Sequence, residues 1–138
     1  MKRKHFHQST TLAFCILTAL LLTEALAGDI ENTLRRGGAV SGRVVEASTG
    51  AAVPLVEIQL WNESGEYRDG ALTDMHGRYR IEELPAGRYF AATLESGYAD
   101  ELYLGRPCPY GECDPTAGTP IEVRGGAVTG SVDFVLER

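Results

Sequence analysis

Between positions 55 and 61 the chain reads LVEIQLW, with its apolar side chains on alternate positions. Val56, Ile58 and Leu60 share one side, and Glu57, Gln59 and Trp61 share the other. A side-chain period of two is that of a strand with one buried face. The alternation returns in short runs separated by Gly, Pro, Asn and Asp, and the helical period is not seen after residue 38. The pattern predicts strands over 39–46, 55–61, 66–73, 78–82, 88–95, 119–124 and 128–136. The fourth directs Tyr79 and Ile81 inward, and Leu84 and Tyr89 follow in the same sense. The fifth is apolar or small on both faces and is expected to be central. In the last, Val128, Val132, Phe134 and Leu136 share a face. The third contains Gly70 and suits a bulge or an edge. The segment TDMHGRYRIEELPAGRY supplies two of the turns, with Asp74 accepting from the backbone that follows it and Gly77 closing a hairpin at positive φ. Seven short strands with turns every eight to twelve residues specify an all-β fold, a seven-stranded antiparallel sandwich of immunoglobulin-like or transthyretin-like type.

The pattern does not start at residue 1. Lys2, Arg3 and Lys4 precede an apolar run, Leu12 to Leu22, that is too short to span a bilayer, and Ala25-Leu26-Ala27 has the form of a cleavage site. Residues 1–27 are expected to be a signal peptide, 28–38 a polar linker and 39–138 the domain, in a protein that is secreted or periplasmic and has no membrane span after cleavage. Of 13 basic and 19 acidic residues, the leader carries three and one. The remainder keeps ten arginines, no lysine and eighteen acids, a net charge of −8. That balance argues against nucleic acid and anionic membranes, which require clustered positive charge. It also excludes a lysine–asparagine isopeptide bond.

Cleavage removes Cys15 and leaves Cys108 and Cys113, an even pair that predicts one disulfide in a secreted chain. A metal or redox pair is the competing reading, although a single C-x4-C is weak evidence for zinc. The pair lies in an irregular stretch, 96–118, longer than compact domains ordinarily carry without bracing or function.

The run GRVV…TGAAVPLVEIQL…TDMHGRYRIEELPAGRY resembles the carboxypeptidase regulatory-like domain, and GSVDFVLER is similar to that family's closing strand. The segment GYADELYLGRPCPYGECDPTAGTPIEV looks like an extended loop of a subset of its bacterial secreted members. The resemblance implies a non-catalytic sandwich grouped with carbohydrate-binding-like folds. In peptidases the domain sits beside the catalytic domain, and in bacteria it occurs on secreted and surface proteins.

The expected domain has one histidine, His76. Zinc peptidases need at least three ligands, and intradiol dioxygenases need two histidines and two tyrosines, so neither set is present. Ser64, His76 and Asp74 exist without a nucleophile elbow. No enzyme activity, no metal site and no cofactor is expected. His76 is read as a solvated turn residue. Asp69, Asp74, Asp100, Glu101, Glu112 and Asp114 lie in or near loops, which keeps a calcium-stabilised module as an alternative. The candidate ligand-binding residues are Trp61, Tyr98, Tyr103 and Tyr110, because aromatic faces flanked by acids and amides stack on sugar rings. The alternative is that Tyr98 and Tyr103 anchor the loop and Trp61 covers the sandwich edge. The expected partner is a carbohydrate. The competing partner is an envelope protein, bound by an adhesive or accessory module.

Overall fold

A computed structural model describes residues 28, 31–32, 36–94 and 97–138. The expected signal peptide lies outside the described residues, and the linker is described only in part. The chain divides into two units, Met1–Thr33 and Leu34–Arg138. Gly28, Glu31 and Asn32 of the first are helical and exposed. Among the described residues no helix is long and apolar enough to cross a membrane.

The second unit carries two sheets. One contains β1 (Gly38–Glu46), β4 (Arg78–Leu84), β9 (Val128–Thr129) and β10 (Phe134–Leu136). β4 lies antiparallel on one side of β1, and β9 and β10 run parallel to β1 on the other. The second sheet has the order β3 (Tyr67–Leu72), β2 (Glu57–Asn62), β5 (Gly87–Leu94), β6 (Glu101–Leu102) and β7 (Arg106–Pro107), with β8 (Ile121–Val123) also on β5. Alternation sends Val40, Val44, Ile58, Leu60, Tyr79 and Ile81 into one core between the sheets, closed by Val132, Phe134 and Leu136. Each is at most 5% exposed. The central position expected for the fifth strand is found, since β5 is paired on both sides.

Among the described residues ten strands are present where the periodicity predicts seven. The last predicted strand is two, because Ser131 takes a left-handed φ of 58° and breaks the pairing with β1 between β9 and β10. The break also shifts the phase, so Val128 is 50% exposed while Val132, Phe134 and Leu136 stay in the core. The other two additions, β6 and β7, lie in the stretch read as irregular. β6 pairs with Ala92 and β8 with Gly87 to Tyr89, along the same side of β5. They occupy one strand position beside β5 in two halves, separated by residues 104–120, and β7 lies outside β6.

The turn at Asp74 forms as expected, with Gly77 at φ 70° and its amide donating to the Asp74 carbonyl. It does not close a hairpin. β3 and β4 belong to different sheets, as do β4 and β5, so both connections carry the chain across the sandwich. Side chains secure these crossings. The Thr73 hydroxyl, fully buried, donates to the Val53 carbonyl and accepts from the Val56 amide. The Tyr89 hydroxyl donates to the Pro85 carbonyl four residues upstream, in the manner of a tyrosine corner. Tyr79 donates to the Val132 carbonyl at 2.6 Å. Burial, then the charge of Asp133 and the neighbouring Tyr103, pushes its phenol well above the usual range.

Candidate functional site

The outward side chains of β2 are Glu57, Gln59 and Trp61, opposite the buried Ile58 and Leu60. A register shift between Leu60 and Trp61 brings Trp61 level with Tyr67 of β3. Their rings meet edge to face, centroids 5.6 Å apart at 77°. Gly70 stands opposite Gln59. A Cβ there would lie 2.8 Å from the Ile58 carbonyl oxygen and 3.0 Å from the Tyr67 hydroxyl, so glycine lets the Tyr67 ring lie back along its own strand. Tyr67 remains 50% exposed. Burial, then the carboxylates of Asp69 and Glu57, raises its phenol pKa. The Trp61 indole nitrogen is buried and has no hydrogen-bond partner among the described residues. Beside the pair, the Gln59 amide donates to Glu57 at 2.9 Å. Two aromatic rings, an amide and a carboxylate thus share one face.

The neighbouring part of that face is covered. Leu102, Cys108 and Cys113 pack with Ala92 of β5 in a small second core, and a 3-10 turn, Pro115–Ala117, packs on β5 and β2. The predicted disulfide joins Cys108 and Cys113, with 5.3 Å between their α-carbons. Tyr110 sits at its tip, 90% exposed, with φ 58° and ψ 22°.

The four candidate aromatics do not converge. Tyr98 and Tyr103 are partly buried against the main core. Tyr103 meets Phe134 edge to face at 6.0 Å, and Arg138 lies 5.3 Å over the Tyr98 ring and donates to its hydroxyl. Trp61 pairs with Phe90 at one end of β2. The disulfide loop is at the other end, where Leu94 pairs with Glu57 and approaches Gly111. Tyr67, which the structure sets beside Trp61, was not singled out in the sequence, because Gly70 and three charged or exposed neighbours blur the period of β3.

No group of three His, Cys, Asp or Glu side chains able to hold a metal occurs among the described residues. Two of the six loop acids proposed for calcium are engaged in their own turns: Asp74 accepts from the amides of His76 and Arg78, and Asp114 from that of Thr116. Ser64 and the Asp74–His76 turn lie at opposite ends of β3, a strand of six residues that spans roughly 20 Å, so they do not form a triad.

A search of curated proteins gives no match. Among solved structures, the Bacillus anthracis TIE protein is 18% identical with a TM-score of 0.54, over 73% of this chain and 16% of that one. GBS52, the minor pilin of Streptococcus agalactiae, is 16% identical with a TM-score of 0.51, over 76% of this chain and 46% of that one. The chain therefore spans less than half of either protein, and the likeness is one of fold. The family model of the carboxypeptidase regulatory-like domain matches residues 39–137, from β1 to the end of β10, and the chain belongs to that family.

Proposed function

We propose that the protein is a secreted, non-catalytic binding module that takes a carbohydrate on the outer face of β2 and β3. The observation that carries this reading is the Trp61–Tyr67 pair, with Trp61 partly buried and Tyr67 half-exposed, beside Gln59 and Glu57. The apolar face of a sugar ring stacks on such a surface, and the amide and carboxylate meet its hydroxyls. Secretion is supported by the leader expected over residues 1–27 and by the disulfide, which persists in oxidising compartments. A glycan array with the purified protein tests the reading. Binding should be lost in Tyr67→Ala, which leaves the core untouched, and in Trp61→Ala. A folded protein that binds no glycan, or a Tyr67→Ala variant that binds as before, removes it.

A second reading has its own observation. Tyr110 projects from a cross-linked loop with its ring in solvent, as an anchor for a protein partner of the envelope would. A photo-crosslinker at position 110 should then capture a single envelope protein, and Tyr110→Ala should abolish that protein's binding.

A further inference from the structure

Away from the aromatic pair, the outer face of the β1–β4 ladder carries an arrangement that costs stability as it stands. Arg43 is directly opposite Arg78 in the register, and Ser41 is opposite Arg80. Like charges facing one another on adjacent strands repel. These three arginines are close together in a chain whose acids outnumber its bases.

The nearby acids do not neutralise them all. Glu82 pairs with Arg80 at 2.5 Å. Asp74 accepts through Oδ1 from the backbone amides of His76 and Arg78, and Asp133 accepts through Oδ1 from the backbone amide of Arg43. Arg43 donates its Nε to the His76 carbonyl at 3.1 Å. Its two terminal nitrogens and the whole Arg78 guanidinium make no hydrogen bond or ion pair among the described residues. Both side chains line a cleft of about 490 Å3 with Ser41, Arg80, Leu72 and Asp74, within the size range of small-molecule sites, and the one carboxylate on its lining, Asp74, faces the charge of Arg78 while its Oδ1 is held by two backbone amides. Leu72, itself exposed, gives this open cleft an apolar wall on which the carbon frame of a ligand can rest.

We propose that this cleft binds an oxyanion, a carboxylate or phosphate group carried by a small ligand, between Arg43 and Arg78. A planar guanidinium matches either group through two parallel hydrogen bonds. An anion held between the two arginines would relieve their mutual repulsion, and the Ser41 hydroxyl offers it a further donor. The proposal does not depend on sugar binding at Trp61 and Tyr67.

Nuclear magnetic resonance titration of the purified protein tests it, with inorganic phosphate, galacturonate and neutral galactose as probes. Phosphate or galacturonate should produce saturable shifts at the amides of Ser41, Arg43, Leu72 and Arg78 and at the arginine Nε–H groups. Galactose should not. The tighter of the two anions identifies the source of the charge. Affinity should fall at least tenfold in the exposed double variant R43Q/R78Q, and also in about 0.5 M NaCl, where the Debye length shrinks below the reach of exposed charges. Thermal melting confirms that the variant is folded. The absence of saturable shifts with both anions, or shifts undiminished in R43Q/R78Q, overturns the proposal.

Discussion

The inner face of β5, with Tyr89, Ala91 and Thr93, is buried by the facing sheet, whereas Ala92 on its outer face is buried by β6 and by the excursion that separates β6 from β8. The first burial comes from a long run of alternating side chains on strands that pair over many residues. The second comes from Leu102, Cys108 and Cys113, with the Pro115–Ala117 turn packed beside them. So small a cluster buries too little apolar area to offset the ordering of seventeen residues at positions 104–120, so the excursion relies on its disulfide and its turns. The difference implies a direction of dependence. The sandwich should stand without the excursion, and the excursion should not stand without the sandwich.

The largest expected effect is on the sandwich. Phe134 is 1% exposed and meets Tyr103, so Phe134→Ala leaves a cavity at the centre of the main core. Chemical denaturation should show a loss of about 3–5 kcal/mol, with the excursion unfolding in the same transition. A loss below about 1 kcal/mol would contradict a single core closed by β10. Next comes Thr73→Val, which keeps the volume and removes the hydroxyl that joins Val53 to Val56 across the first sheet crossing. Leaving those buried groups unpaired should cost about 1–3 kcal/mol. An unchanged denaturation midpoint would mean that the crossing is held by packing alone.

The same two regions differ in how far their residues disclosed them. Each predicted strand has a counterpart, the last one in two pieces, because Val56, Ile58, Leu60, Tyr79, Ile81 and Phe134 each sit in a run whose period declares the buried face. β6 and β7 have two residues each, too few for a period, and the pairing of Leu102 with Ala92 joins positions whose partnership no local pattern marks. The segment around Asp74 illustrates a different limit. Asp74 and Gly77 dictate that the chain reverses, but nothing in them dictates which sheet the next strand joins. Candidate site residues follow the same rule. The outward direction of Trp61 was legible from alternation. Its neighbour Tyr67 depends on a register shift, and the opposition of Arg43 and Arg78 depends on pairing between strands 35 positions apart.

Removing the disulfide sharpens the comparison at smaller scale. The loop it closes is short, so chain entropy assigns it only about 2 kcal/mol. In a C108S/C113S variant that loss should be confined largely to the excursion. Hydrogen exchange should quicken across 104–120, while the amides of β1, β2 and β5 keep their protection. Exchange that quickens uniformly through β5 would show that the outer cover and the inner core open together, and would remove the proposed direction of dependence.

The smallest effect tests whether the two regions differ at all in their local chemistry. Asp74 in the sandwich and Asp114 in the excursion each accept a backbone amide two residues ahead, at 2.8 and 2.9 Å. Both carboxyls titrate below the ordinary aspartate value. For Asp74 the chief cause is the Arg78 amide. For Asp114 it is the Thr116 hydroxyl and then the Thr116 amide. A carboxyl lowered in the folded state contributes stability that is present above its unfolded pKa and is lost as pH falls through its folded pKa. Both turns should therefore hold at neutral pH and loosen only in acid below the ordinary aspartate range. Carboxyl carbon titrations should show both midpoints depressed in the native protein. In C108S/C113S, Asp114 should return toward the ordinary value as its turn loosens, while Asp74 stays depressed. If Asp114 stays depressed as well, its turn with Thr116 is self-sufficient, and the disulfide then serves to place Tyr110 rather than to hold the excursion together.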